Sequence, residues 1–119
     1  MFPVKILIIL VFAIIWTASC FKSGPKSFVI ADSKSYEASL FRQNCAICHG
    51  PEANGRTLDD GRAIPNIREG EHKYKSAGEI YDHIANGGNG MVPFRDQLTQ
   101  REINLLVNFV LNDLRKKEN

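Results

Sequence analysis

Two cysteines separated by two residues and followed at once by a histidine, Cys45-Ala46-Ile47-Cys48-His49, constrain this chain more than any other stretch of its 119 residues. On a helix the two thiols stand about one turn apart on the same side. That spacing suits two thioether bonds to the vinyl groups of one porphyrin, the attachment of a c-type haem. The adjoining imidazole would then lie under the iron as its proximal ligand. Two other readings fit the five residues alone. A thioredoxin-type redox pair needs a βαβ setting, and no strand-like alternation surrounds this one. A zinc site would need Cys45, Cys48 and a histidine to be completed by His72 or His83, and it would leave the glycine-rich segment around Met91 and the helical pattern unexplained.

A haem iron held by one imidazole takes a second axial ligand, and few side chains here offer one. Of the two methionines, Met1 lies in a segment expected to be removed, so Met91 is the remaining thioether. It lies in Gly87-Gly88-Asn89-Gly90-Met91-Val92-Pro93-Phe94. Glycine lets such a backbone run close to a flat cofactor, and proline stiffens the turn. His72 and His83 are the competing ligands; otherwise they are an exposed loop residue and a helix-surface residue.

Over residues 35–117 the chain resembles the class I c-type cytochromes, the small monohaem electron carriers, on the strength of Cys45-x-x-Cys48-His49 and the Gly90-Met91 loop that follows. Val92 stands where the family usually has proline after the methionine. The single tryptophan, Trp16, lies in the N-terminal segment, so an indole contact to a haem propionate is absent. The resemblance implies an all-α fold, three main helices and loops wrapped around one covalently bound haem c, with His49 and Met91 as axial ligands. It also implies that a proline carbonyl, here that of Pro65, accepts a hydrogen bond from His49 Nδ1. An aromatic residue four positions before the first cysteine, here Phe41, would pack on the last helix.

Three helices are expected. The first starts near Ser35 and runs into the haem motif, with Phe41, Cys45 and Cys48 sharing one face. The second opens at Ser76, with Glu79 completing a capping box, and closes at Asn86-Gly87. The third opens at Thr99 with Glu102, and carries Ile103, Leu106, Val107, Val110, Leu111 and Leu114 as an apolar stripe. Arg115, Lys116 and Lys117 in its last turn suit the helix dipole. Residues 50–75 read as a long loop. A domain of this size has a thin core of its own. Phe41, Ile64, Ile67, Tyr74, Ile80, Ile84, Phe94, Leu98, Leu106, Val107 and Val110 are the side chains expected to wrap a cofactor.

Lys5 precedes an uninterrupted apolar run over residues 6–16, then Thr17-Ala18-Ser19-Cys20. The run has the length of a signal-peptide core and falls short of the ~20 residues of a membrane span. The small residues before Cys20 resemble a bacterial lipobox, with Thr17 in place of the usual leucine. Three cysteines less a haem pair leave one odd thiol, which lipidation of Cys20 explains. The expected organisation is therefore a signal peptide (1–19), a lipid-anchored flexible tether (20–34) and a haem domain (35–119). Plain cleavage with a free Cys20 and an uncleaved anchor are the alternatives. Phe28-Val29-Ile30 either docks on the domain or continues the tether.

Iron saturated by His49 and Met91 offers no open position, so the expected function is single-electron transfer with no substrate turnover. The expected partners are membrane-bound or periplasmic redox proteins, and the expected location is the periplasmic side, tethered to the membrane or soluble. A haem enzyme or gas sensor with a labile Met91, and a haem-bearing subunit of a larger oxidoreductase, are the rival readings. A formal net charge of +2, one unit of it Lys5, provides no field for nucleic acid binding. Arg56, Arg62, Arg68, Lys73 and Lys75 form either a docking rim or a solvated loop surface. The redox partner, the potential and the pathway are not encoded legibly.

Overall fold

In a computed structural model, which describes residues 27–115, the three long helices each start at a hydroxyl residue that accepts from a free backbone N–H. The elements in order are α1 (Tyr36–Asn44), the single turn α2 (Ala46–His49), strands β1 (Arg56–Thr57) and β2 (Ala63–Ile64), α3 (Ala77–Asn86) and α4 (Gln100–Phe109). A π-helical turn, Val110–Leu114, continues α4. The signal segment, Cys20, the tether up to residue 26 and Lys116 and Lys117 lie outside the described residues.

Ser35 Oγ accepts from Ala38 N at 3.2 Å and opens α1. Ser76 with Glu79, and Thr99 with Glu102, form the two reciprocal capping boxes expected. Hydrogen bonds from Ser76 hold the Glu79 carboxyl below the usual glutamate range; Tyr36 first, then Thr99, do the same for Glu102. Helix α1 does not run unbroken into the cysteine motif. Asn44 Nδ2 donates back to Leu40 O at 2.9 Å, a bond of the kind that competes with helix propagation, and Cys45 opens to φ −113°. One fresh turn, α2, then starts from the Cys45 carbonyl, which accepts from His49 N at 2.9 Å. Phe41, Cys45 and Cys48 therefore do not form one stripe: Phe41 is buried, Cys45 half-buried and Cys48 exposed.

The expected long loop is folded on itself. Its two-residue strands pair antiparallel, Arg56 with Ile64 and Thr57 with Ala63, a small ladder in an otherwise helical chain. Gly55, at φ +75°, makes the close approach possible. A Cβ there would stand 2.9 Å from Asn66 N and from the Pro65 carbonyl carbon. Ala53, fully buried, accepts from Ile67 N at 2.9 Å and pins the far end.

Helices α1 and α3 both pack on α4. Phe41 meets Phe109 of α4 at 6.1 Å between ring centroids, so the aromatic expected on the last helix is there. Ile80, Ile84, Phe94, Leu98, Leu106, Val107 and Val110 are buried as expected, whereas Ile64, Ile67 and Tyr74 are half-buried. In the stripe of α4, Ile103 and Leu114 are buried as well and Leu111 is half-buried. Phe109, off that stripe, is 1% exposed, because Phe28 covers it edge-on at 5.3 Å.

Of the two readings of Phe28-Val29-Ile30, docking is the one the structure holds. Ile30 is fully buried, and its N–H and that of Ala31 donate to Glu52 Oε2 and Oε1 at 2.9 Å each. Arg68 pairs with Glu52 at 3.0 Å and donates to Phe28 O at 2.8 Å, while Arg42 donates to Ile30 O at 2.6 Å. Partly buried hydrogen bonds to charged groups contribute about 1.5–3 kcal/mol each, enough to seat a short strap. Phe28 and Ile30 thus belong to the packed body, inside the stretch expected as tether. At the other end Arg115 does more than suit a helix dipole. The π turn delivers its guanidinium to the loop, where Nε donates to Ile67 O at 3.1 Å and Nη1 to Tyr74 O at 2.7 Å.

Candidate functional site

After the break, Cys45 caps the start of α2, and Cys48 and His49 lie on that one turn. Cys45 and Cys48 are not joined to each other in a disulfide. Burial, then the neighbouring Cys48, pushes the Cys45 thiol up to about 12. Burial, then nearby His83, holds the His49 imidazole below the usual histidine range. Its Nδ1 is buried without a hydrogen-bond partner. The bond expected from His49 Nδ1 to the Pro65 carbonyl is therefore not formed here. Pro65 is exposed and follows β2, and Gly55, whose N–H donates to His49 O at 3.0 Å, is the link between that segment and the motif.

Met91 closes a tight turn after α3. Gly88 N donates to Met91 O at 2.9 Å and Met91 N to Gly88 O at 3.1 Å. The two residues between, Asn89 at φ 52° and Gly90 at φ 86°, have the positive φ values a type I′ turn requires. Gly87 allows the return strand to pass: a Cβ there would stand 2.8 Å from Pro93 N and 2.9 Å from the Val92 carbonyl carbon. The Met91 side chain is half-buried against the core, and Val92, in the place of the usual proline, is 59% exposed. Ile47, inside the cysteine motif, is 76% exposed. A thiol pair one turn apart, an imidazole beside it, and exposed apolar side chains at both the motif and the methionine turn make a donor set and surface that fit a covalently held porphyrin.

Neither competing histidine is a free surface residue. His83 stacks on Tyr74 with ring centroids 4.2 Å apart, and His72 is half-buried. Among the described residues no three His, Cys, Asp or Glu side chains gather as a metal-ion site, so a zinc centre lacks its donors. The small antiparallel ladder is not the βαβ frame of a thioredoxin motif. The basic rim is largely committed within the chain. Arg68 is tied to Glu52 and Phe28, Arg62 pairs with Asp60 at 2.7 Å, Arg56 donates to Ile47 O at 3.3 Å, and Lys73 lies 5.5 Å from the Tyr74 ring centre. Sequence reasoning missed Tyr74 and Asn89 as neighbours. Asn89 Nδ2 donates to Tyr74 Oη at 2.6 Å, and the Asn89-Gly90 turn signal was the one hint available.

The chain is similar to known proteins. A family profile described as cytochrome c oxidase, cbb3-type, subunit III, matches residues 37–110. A cbb3-type cytochrome c oxidase subunit FixP from Sinorhizobium medicae (strain WSM419) is 33% identical over 86 residues, 63% of this chain but 28% of that protein's length. Cytochrome c6 of Gracilaria tenuistipitata var. liui is 29% identical over 110 residues, 92% of this chain and 96% of that one. Among solved structures, the KustC0563 c-type cytochrome superposes with a TM-score of 0.56 at 31% identity, covering 66% of this chain and 95% of its own.

Proposed function

This chain belongs to the c-type cytochrome family described as cytochrome c oxidase, cbb3-type, subunit III, and on that footing we propose that it carries single electrons between redox proteins through one haem c. When bound, that group supplies a one-electron Fe(II)/Fe(III) couple. Cys45 and Cys48 would hold it covalently, His49 would offer a ring nitrogen from the next position, and Met91 would offer a soft thioether that favours the reduced state. Gly55 and Gly87 let the loops close in, and Phe41, Leu106 and Val107 keep water from the inner side. The observation that carries the reading is the placing of Cys45 at the start of α2 and of Cys48 and His49 on it, with Ile47 exposed between the thiols. The test is the absorption spectrum of the reduced protein with and without carbon monoxide. A six-coordinate spectrum that carbon monoxide leaves unchanged is expected; rapid adduct formation would favour an enzyme or gas-binding role.

A second reading has its own support. The matching profile and the FixP relative both name an oxidase subunit, so a haem-bearing subunit that passes electrons within a larger oxidoreductase is the alternative. Co-purification of the native protein with such a complex would decide for it.

The same proposal places the domain on the outer side of a membrane, tethered through lipidated Cys20. Among the described residues no helix is long and apolar enough to cross a membrane. Membrane fractionation tests this: Cys20→Ala should release the protein or leave its precursor unprocessed, and an unacylated soluble mature protein would exclude the anchor.

A further inference from the structure

The turn that carries Met91 is tied down at its tip by a residue far from it in sequence. Asn89 has two roles there. Its backbone occupies a left-handed conformation that asparagine tolerates, and its side-chain amide donates to Tyr74 Oη at 2.6 Å. Tyr74 is itself held on two sides. Its ring stacks on His83 of α3 at 4.2 Å and 26° between planes, and its carbonyl accepts from Arg115 Nη1 at 2.7 Å. The phenol thus links the end of the last helix, the face of α3 and the methionine turn. The Gly88–Met91 backbone bonds shape the turn, and the bonds from Phe94 N to Ile84 O at 3.0 Å and from Arg95 N to Ala85 O at 3.1 Å hold the return segment on α3, but none of them reaches the tip at Asn89. The Tyr74–Asn89 bond restrains that tip from outside.

We propose that Tyr74 is a positioning residue for the Met91 thioether, acting through Asn89 at the tip of the turn; this rests on the reading of Met91 as an axial ligand. Tyr74 would not itself be a ligand. Its effect is on how often the thioether lies where the iron can take it. Losing one exposed hydrogen bond of ordinary strength should raise the population with Met91 displaced by about fivefold.

The experiment uses the full-length haem-loaded protein and the variants Tyr74→Phe, Asn89→Gly and the double. Tyr74→Phe keeps the ring stack and removes the hydroxyl. Asn89→Gly keeps the positive φ and removes the amide. The readouts are the rate of carbon monoxide binding to the ferrous form, the sulfur-to-iron charge-transfer absorption of the ferric form and the reduction potential. Each single variant should bind carbon monoxide about fivefold faster, with a weaker absorption and a lower potential. The double should match the singles, because all three break one bond. Unchanged ligand exchange, absorption and potential, even with a lower melting temperature, would make Tyr74 merely structural and overturn the proposal. Multiplied effects in the double would overturn the coupling through Asn89. Met91→Ala, measured alongside, keeps the two ideas apart. If it shifts all three readouts while Tyr74→Phe shifts none, the axial assignment stands and the positioning role fails. If Met91→Ala shifts none, the axial assignment fails and the proposal with it.

Discussion

Replacing Cys45 and Cys48 together with serine should leave no haem on the polypeptide after acid-acetone extraction and no haem signal on a denaturing gel, whereas the unaltered protein keeps all of it. The contrast is all-or-none because the two thioethers are the only bonds that survive unfolding; axial bonds from nitrogen or sulfur do not. Each single substitution should retain haem through the remaining bond. The two positions are not equivalent, since Cys48 is exposed and Cys45 half-buried between the end of α1 and the core. Serine at Cys45 puts a hydroxyl where burial already disfavours a charge, so Cys45→Ser should be the less stable of the singles. Haem that extracts freely from the unaltered protein would exclude covalent attachment and with it the c-type reading.

What was legible in the sequence was local. A capping box joins residues three apart, so Ser76 with Glu79 and Thr99 with Glu102 announce themselves, and α3 and α4 start where expected. The motif residues were equally plain, since thiol, thiol and imidazole need only adjacency on one turn. The break at Cys45 was harder. It follows from a side-chain bond of Asn44 that competes with the helix, a choice tertiary packing decides. Contacts across long separations were not legible at all. Glu52 and Arg68 read as loop charges until Ile30 and Phe28 arrive to use them. Phe109 sits off the helical stripe and is buried only because Phe28 returns to cover it. Arg115 looked like a terminal charge, yet a π turn redirects it to Ile67 and Tyr74. Near the methionine turn, the bond from Asn89 to Tyr74 was not legible either, because a tyrosine in a charged loop carries no mark of its partner. The Pro65 contact failed for the opposite reason: it came from likeness to a family, and the position of one carbonyl depends on a loop whose path this chain sets with its own small ladder.

Met91→Ala should lower the reduction potential by on the order of 100 mV, a part of the ~0.8 V over which axial ligands move haem potentials. The soft thioether stabilises Fe(II) relative to Fe(III), and the water or histidine that replaces it does not. The same variant should lose the sulfur-to-iron charge-transfer absorption of the oxidised protein, and the ferrous form should take up carbon monoxide wherever the sixth position stays open. His83 is stacked on Tyr74, and that stack would have to break for it to serve as the replacement ligand. Water is therefore the expected first occupant at neutral pH. The fold should survive. Met91 is half-buried, and the Gly88–Met91 bonds use backbone atoms that alanine retains, so the stability loss should be about 1–2 kcal/mol, below the 2–5 kcal/mol of a fully buried methionine. Three readouts then separate ligand loss from unfolding, because a merely loosened protein would lower the melting temperature without opening the iron to carbon monoxide. If potential, absorption and carbon monoxide uptake all stayed unchanged in Met91→Ala, the methionine would not be the ligand, and His72 and His83 would be the residues to replace next.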